Sequence, residues 1–399
     1  MFSKHHLVGG AAAVLAAALL AACTSDKNIN MQTPVDPLFK SYASLGNSIT
    51  AGYQSGGIND STQMQSYAVL FAAAANTRFA IPDLAMPGCP PPINDFLAQT
   101  RVGGGTSSTC ALRTPSSVTW AINNVAVPGA TSLDPTSLTT SASNALTTFI
   151  LGGQTQVQRA SQVVPTFVSM WIGNNDALAA ALAGVLVPTS GVSPGLTDSI
   201  TFVKNYKADI NSLLAVTSIK GGVLFAVVDV TNAPLLFHSN LLFTPYKAEF
   251  DAFAGAVTAV DPSCQSNVAL IDFQLAGAIR AGAHPAAITC VPAPYPVGVY
   301  VLDSIEVGKV QQTVAAYNRY IKAKADSIGW AYVDVNPALQ QLRLAGAIPP
   351  FPYPVPDTAF GTYFSLDGVH PSAKAHKLVA NTMIDSVNAK YGTSLSPIP

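Results

Sequence analysis

Ser48 lies within Leu45-Gly46-Asn47-Ser48-Ile49-Thr50-Ala51-Gly52, where two glycines bracket a sharp turn after a short apolar run, Tyr42-Ala43-Ser44-Leu45. A serine at such a turn leaves the end of a strand with its hydroxyl free and its own N–H beside it. An acyl-transfer nucleophile needs both, an exposed Oγ and a donor for the developing oxyanion. Gly-Asn-Ser is also ordinary turn chemistry, so the stretch means little without partners elsewhere. The partners are at the other end of the chain, in Ser365-Leu366-Asp367-Gly368-Val369-His370-Pro371. Asp367 and His370 are three residues apart on one tight turn. A carboxylate so placed accepts from one imidazole nitrogen and leaves the other free to face Ser48. That is the orienter, base and nucleophile logic of a catalytic triad. A histidine base also implies activity that is lost toward acid pH.

The elements that must position these residues read as alternating strands and helices. Strands are expected at 42–45, 122–127, 167–172, 223–228 and 330–335. The 167–172 and 223–228 runs are apolar almost throughout, as in parallel strands buried on both faces. Helices are expected over 61–75, 199–217, 247–257, 304–328 and 371–390, with Gly329 and Gly392 as stops. In the first, Met64, Tyr67, Ala68, Phe71, Ala72 and Ala75 share one face. The pattern predicts a parallel sheet covered by helices on both faces, a three-layer α/β/α sandwich. Ligands of such sheets bind beyond the carboxyl ends of the strands. Ser48, Gly129 and Asn175 each follow a predicted strand there.

Four segments together resemble the sequence blocks of the SGNH hydrolases, also called GDSL esterases/lipases. They are Gly46-Asn47-Ser48, Asn124-Val125-Ala126-Val127-Pro128-Gly129-Ala130-Thr131, Gly173-Asn174-Asn175-Asp176 and Asp367-Gly368-Val369-His370-Pro371. The resemblance spans residues 41–392 and implies a flavodoxin-like sheet. It implies Ser48 as nucleophile, His370 as general base and acid, and Asp367 as the group that holds the histidine. The N–H groups of Ser48 and Gly129 and the Asn175 amide would form the oxyanion hole. Asn47 departs from the Asp usual before the serine. It keeps the shape and a carbonyl acceptor but loses the charge, so activity is expected to survive. The order Ser, Asp, His also occurs in α/β-hydrolases, but there is no Gly-x-Ser-x-Gly elbow and the serine follows the first strand.

The remaining features set context. The 399-residue chain opens with Lys4-His5-His6 and an apolar run over 7–22, ending Leu20-Ala21-Ala22-Cys23. That is expected to be a signal peptide over 1–22. The tetrad looks like a bacterial lipobox, with Cys23 lipidated, no acidic residue after it, and an outer-membrane destination. Residues 23–40 read as a tether and 393–399 as a tail. Four further cysteines allow three pairings. Cys89–Cys110 and Cys264–Cys290 are favoured because each closes a short loop within a Pro/Gly-rich segment, and an exported compartment permits them. Insertions are expected near 86–117, 232–303 and 345–357, packed near the site.

Formal net charge is −1 and only 10% of residues are charged, with no basic patch, so nucleic acid is an unsuitable partner. The glycines at 103–105 lack the Gly-Lys-Ser/Thr ending of a phosphate loop. No metal or organic cofactor is expected. His376 reads as a surface histidine, His238 and His284 lack evident partners, and Asp229 reads as a strand end. The expected partners are a small-molecule, lipid or glycan ester and, through the anchor, a membrane. The competing class is a non-catalytic surface lipoprotein that binds glycan or lipid on the same fold.

Overall fold

The computed structural model describes residues 33–112, 118–138, 145–184, 186, 195–291 and 300–399. The expected leader and Cys23 lie outside the described residues. Among the described residues no helix is long and apolar enough to cross a membrane.

Four parallel strands form the central sheet: β1 (Tyr42–Gly46), β2 (Phe167–Trp171), β3 (Gly221–Phe225) and β4 (Ala331–Val333), adjacent in that order. All residues of β1, β2 and β3 are buried. The period of two along a strand divides them between two cores. Tyr42, Phe167, Trp171, Val223 and Phe225 enter one, and Ala43, Leu45, Val168, Met170 and Leu224 the other. The expected strand at 122–127 does run parallel to β1, but makes a single bridge, Ser44 to Asn124. Backbone bonds continue the pairing, from Ser44 N–H to the Asn123 carbonyl, from Val125 N–H to the Ser44 carbonyl and from Val127 N–H to the Gly46 carbonyl, and the Asn123 and Asn124 amides donate to the Tyr42 and Thr50 carbonyls. With this edge segment, the spatial order follows the flavodoxin-like pattern.

The helices used below are α1 (Ser48–Ala51), α2 (Asp60–Met64), α3 (Tyr67–Ala74), α4 (Gln156–Ser161), α5 (Asn175–Ala183), α6 (Ser199–Leu214), α7 (Ser304–Ile328), α8 (Asn336–Leu344) and α9 (Ala373–Tyr391). α3 and α9 cover one sheet face, and α5, α6 and α7 the other. The single helix expected over 61–75 is broken into α2 and α3. Ser66 accepts from the Ala68 N–H and starts a new helix. Met64 consequently points outward, 44% exposed. α7 runs the full expected length, opened by an Asp303/Glu306 capping box and closed by Gly329.

Two expected boundaries shift. The tether does not extend to residue 40, because Phe39 is fully buried and packs edge-on against Phe71 and Phe167. The 393–399 tail is not free. The backbone N–H groups of Leu395 and Ile398 donate to the side-chain oxygens of Asn388 and Asn381 of α9, and Leu395 is buried.

The insertions meet in a third core. Phe96, Phe237, Phe250, Phe273, Phe351 and Phe360 pack there. Edge-to-face contacts join Phe96 to Phe360 and Phe351 to Phe237 and Phe273. Cys89 bonds to Cys110, and Cys264 to Cys290. The core also takes in Leu366, beside Asp367. Leu235 N–H donates to the Gly368 carbonyl, and a Cβ on Gly368 would lie 2.7 Å from the Phe360 ring. Beneath the Asp367–His370 turn, therefore, the insertions act as a foundation.

Candidate active site

β1 delivers Ser48. Gly46 ends the strand at φ +158°, and a Cβ there would lie 2.4 Å from Thr50 Oγ1 and 2.6 Å from the Trp171 carbonyl. Only glycine allows the chain to turn so tightly against β2. Asn47 then caps α1, its Oδ1 accepting from the Ile49 N–H at 3.1 Å. A carbonyl oxygen suffices for that bond, so Asn47 keeps the cap that an Asp at this position would make. Ser48 is the first residue of α1, so its N–H has no partner within the helix.

The opposite side comes from the 365–370 turn. His370 Nε2 is 2.9 Å from Ser48 Oγ, and His370 Nδ1 is 2.8 Å from Asp367 Oδ2. Asp367 Oδ1 accepts from the N–H groups of Val369 and His370 and from Ser365 Oγ; Oδ2 also accepts from the Gly56 N–H. Burial acts to raise the Asp367 carboxyl. The imidazole and these hydrogen bonds outweigh it and hold the group at about 2. The Gly56 turn is itself held by Arg101, which donates to the carbonyls of Gly56 and Pro91. The Tyr53 ring lies against the imidazole, centroids 4.8 Å apart.

Ser48, Gly129, Asn175 and His370 line one open cavity of about 460 Å³, with Tyr53, Pro90, Leu146 and Leu178. Gly129 has φ +87°, a conformation that favours glycine. Asn175 Nδ2 donates to the Ala130 carbonyl at 2.9 Å, which fixes its amide beside the Gly129 loop.

Three residues support the site in ways the sequence does not show. Asp176 accepts from the Ser132 N–H (2.7 Å) and Oγ (2.6 Å), tying the Gly129 loop to the start of α5. Burial pushes its carboxyl up to about 6 even with those bonds. Gln156 is fully buried on α4, 110 residues from Gly46. Its Oε1 accepts from the Gly46 N–H (2.9 Å) and its Nε2 donates to the Gly46 carbonyl (3.0 Å). A lone glutamine leaves no periodic signal, so only the fold reveals it. Gln156→Ala should destabilise the protein by about 1–3 kcal/mol, the cost of leaving buried backbone groups unpaired. A urea midpoint equal to that of the natural protein would contradict this.

His376 is the third. It is buried, not on the surface as expected. Its Nδ1 accepts from the Tyr67 N–H, and burial, with the nearby His370, lowers it to about 3. It shares the inner face of α9 with Val379, Ala380 and Met383, a spacing of three, four and seven that the sequence does contain. His238 is exposed, and His284 meets the adjacent Pro285 carbonyl through Nδ1 and the Tyr300 ring edge-on. Asp229 caps the turn after β3 by accepting from Thr231 and Asn232. No group of three or more metal-ligating side chains occurs among the described residues.

A serine, an imidazole and a carboxylate hydrogen-bonded in series, at the carboxyl edge of a parallel sheet, define a hydrolase type of site. The chain belongs to the GDSL-like Lipase/Acylhydrolase family, whose profile matches residues 42–383. It is thus a hydrolase of the esterase and acylhydrolase class. No curated protein matches the chain significantly. Among solved structures it is similar to LAE5, an alpha/beta hydrolase enzyme from the metagenome of Lake Arreo, Spain, at 13% identity over 89% of this chain and 98% of that one, TM-score 0.38. It is similar to a catalytic mutant of an acetylxylan esterase from Geobacillus stearothermophilus, at 12% identity over 87% and 93%, TM-score 0.36. A third is an active-site mutant of a family two carbohydrate esterase from Clostridium thermocellum, at 13% identity over 90% and 66%, TM-score 0.37. Likenesses this distant carry no argument about substrate.

Proposed function

We propose that the protein hydrolyses carboxylic esters through an acyl-enzyme on Ser48. Ser48 Oγ attacks the ester carbonyl while His370 Nε2 takes its proton. The oxyanion is met by the N–H groups of Ser48 and Gly129 and the Asn175 side chain, fixed donors that need no reorganisation. Collapse expels the alcohol, which takes the proton back from His370. Water, activated by the same nitrogen, then releases the acid. Asp367 keeps Nδ1 protonated and the ring aimed. The observation that carries this reading is the unbroken series Ser48 Oγ, His370 Nε2, His370 Nδ1, Asp367 Oδ2, with both links under 3 Å and opening on a cavity. Cys23 would carry the lipid, holding the enzyme at the bacterial outer membrane, since two or three acyl chains suffice for stable anchoring.

The test is a serine-directed fluorophosphonate together with p-nitrophenyl acetate. The expected result is a covalent adduct on Ser48 and steady ester turnover. A protein that takes no probe and turns over no ester would be a binding module instead. Mass spectrometry of the N-terminal peptide from bacterial membranes tests the anchor, and an unmodified Cys23 would remove it.

A further inference from the structure

The cavity at Ser48 has a second, narrower outlet. Ser48, Ile49, Val228, Leu339, Phe364 and Val369 border a space of about 40 Å³ that shares Ser48, Asn175, Leu178 and His370 with the wide mouth. Five of these, Ile49, Val228, Leu339, Phe364 and Val369, also border a deeper apolar slot between α8 and α9, floored by Trp171. Apart from Tyr363 and Thr382, every side chain lining the slot is nonpolar, and none is charged. Val335, just before α8, and Ala338, Leu339 and Leu342 of α8 supply its wall, spaced three, four and seven apart. That is the stripe an amphipathic helix ordinarily buries. Yet no residue of α8 is buried. Its apolar side looks into the slot instead of onto packed side chains.

We infer that this slot receives the acyl chain of the substrate, and that Ala338, Leu339 and Leu342 set the chain length accepted. The inference rests on Ser48 as the acylated residue. An ester carbonyl at Ser48 must send its acyl and alcohol parts in different directions. The wide mouth, about 460 Å³ and bordered by Ser107, Tyr53 and Asn175, suits a bulky or polar alcohol. The 40 Å³ passage suits a single unbranched chain. Each methylene entering the slot leaves water and meets apolar carbon. The substrate class is therefore an ester of a medium-length unbranched acid, not an acetate.

The experiment uses two ester series on the purified protein. In p-nitrophenyl esters, kcat/KM should rise from acetate to hexanoate by roughly threefold per methylene. In alkyl acetates from ethyl to hexyl, it should stay within about threefold overall, a much smaller change than slot burial would give. Ala338→Phe, which projects a ring into the slot, should lower the hexanoate-to-acetate ratio at least tenfold. Folding of that variant is checked by its fluorophosphonate labelling. A flat or falling acyl series, a rise confined to the alkyl acetates, or an unchanged ratio in Ala338→Phe would each overturn the assignment while leaving Ser48 catalysis intact. Failure to hydrolyse either series would remove both readings.

Discussion

Ser48→Ala should lower kcat by about four to six orders of magnitude, the range seen when a triad serine is removed. The fold should be untouched. Ser48 Oγ bonds to His370 Nε2, and α1 is capped by Asn47, not by Ser48. Its side chain holds no element in place. Alanine keeps the backbone N–H, so one oxyanion donor remains. Residual hydrolysis from that donor and from binding is expected at a low level. The measurement is single-turnover hydrolysis of p-nitrophenyl hexanoate, with a urea titration beside it. Turnover within tenfold of the natural protein would mean that another group attacks the ester. A large loss of stability would mean that the substitution broke the fold and tested nothing about the serine.

How much of this could be read from the residues depends on the physics behind each feature. The sheet was legible because strands buried on both faces must be apolar throughout, as in 167–171. The hydrolase residues were legible because their chemistry restricts residue type and because two of them share one turn. The 122–127 segment was legible as a strand and does run beside β1, whereas the side-chain bonds of Asn123 to Tyr42 and Asn124 to Thr50 were not, because each joins residues more than 70 apart. The break at Ser66 was readable in principle, since serine is a strong helix-capping residue. Phe39 looked like tether because its neighbours are polar and proline-rich. Its burial depends on Phe71 and Phe167, far along the chain. Gln156 and the insertion core lie furthest from sequence reasoning. Both act through contacts between segments a hundred or more residues apart, such as Phe96 against Phe360. Such contacts leave no local pattern.

Asp367→Asn should separate two jobs of Asp367, orienting the imidazole and holding its own turn against Gly56. For catalysis, the variant is expected to lose about 10⁴-fold in kcat at neutral pH, because an amide nitrogen facing Nδ1 would favour the wrong tautomer. For stability, the carboxylate is a hub. It accepts from Gly56, Ser365, Val369 and His370. An asparagine has one acceptor oxygen for donors that now meet two. Loss of about 2–4 kcal/mol is therefore expected at pH 7, in line with removing charge-assisted bonds. The pH dependence fixes the sign. The folded carboxyl sits at about 2, below its ordinary 3.8. Its stabilising contribution is therefore complete above the unfolded value and is lost as pH falls from about 4 to 2, amounting to about 2 kcal/mol. The natural protein should lose that increment across the window, and Asp367→Asn should not. Parallel stability curves for the two proteins between pH 5 and 2, a range set by the shift itself, would show that folding does not lower the Asp367 carboxyl. Its bonds to the imidazole and the surrounding N–H groups would then favour the ionised form no more than water does.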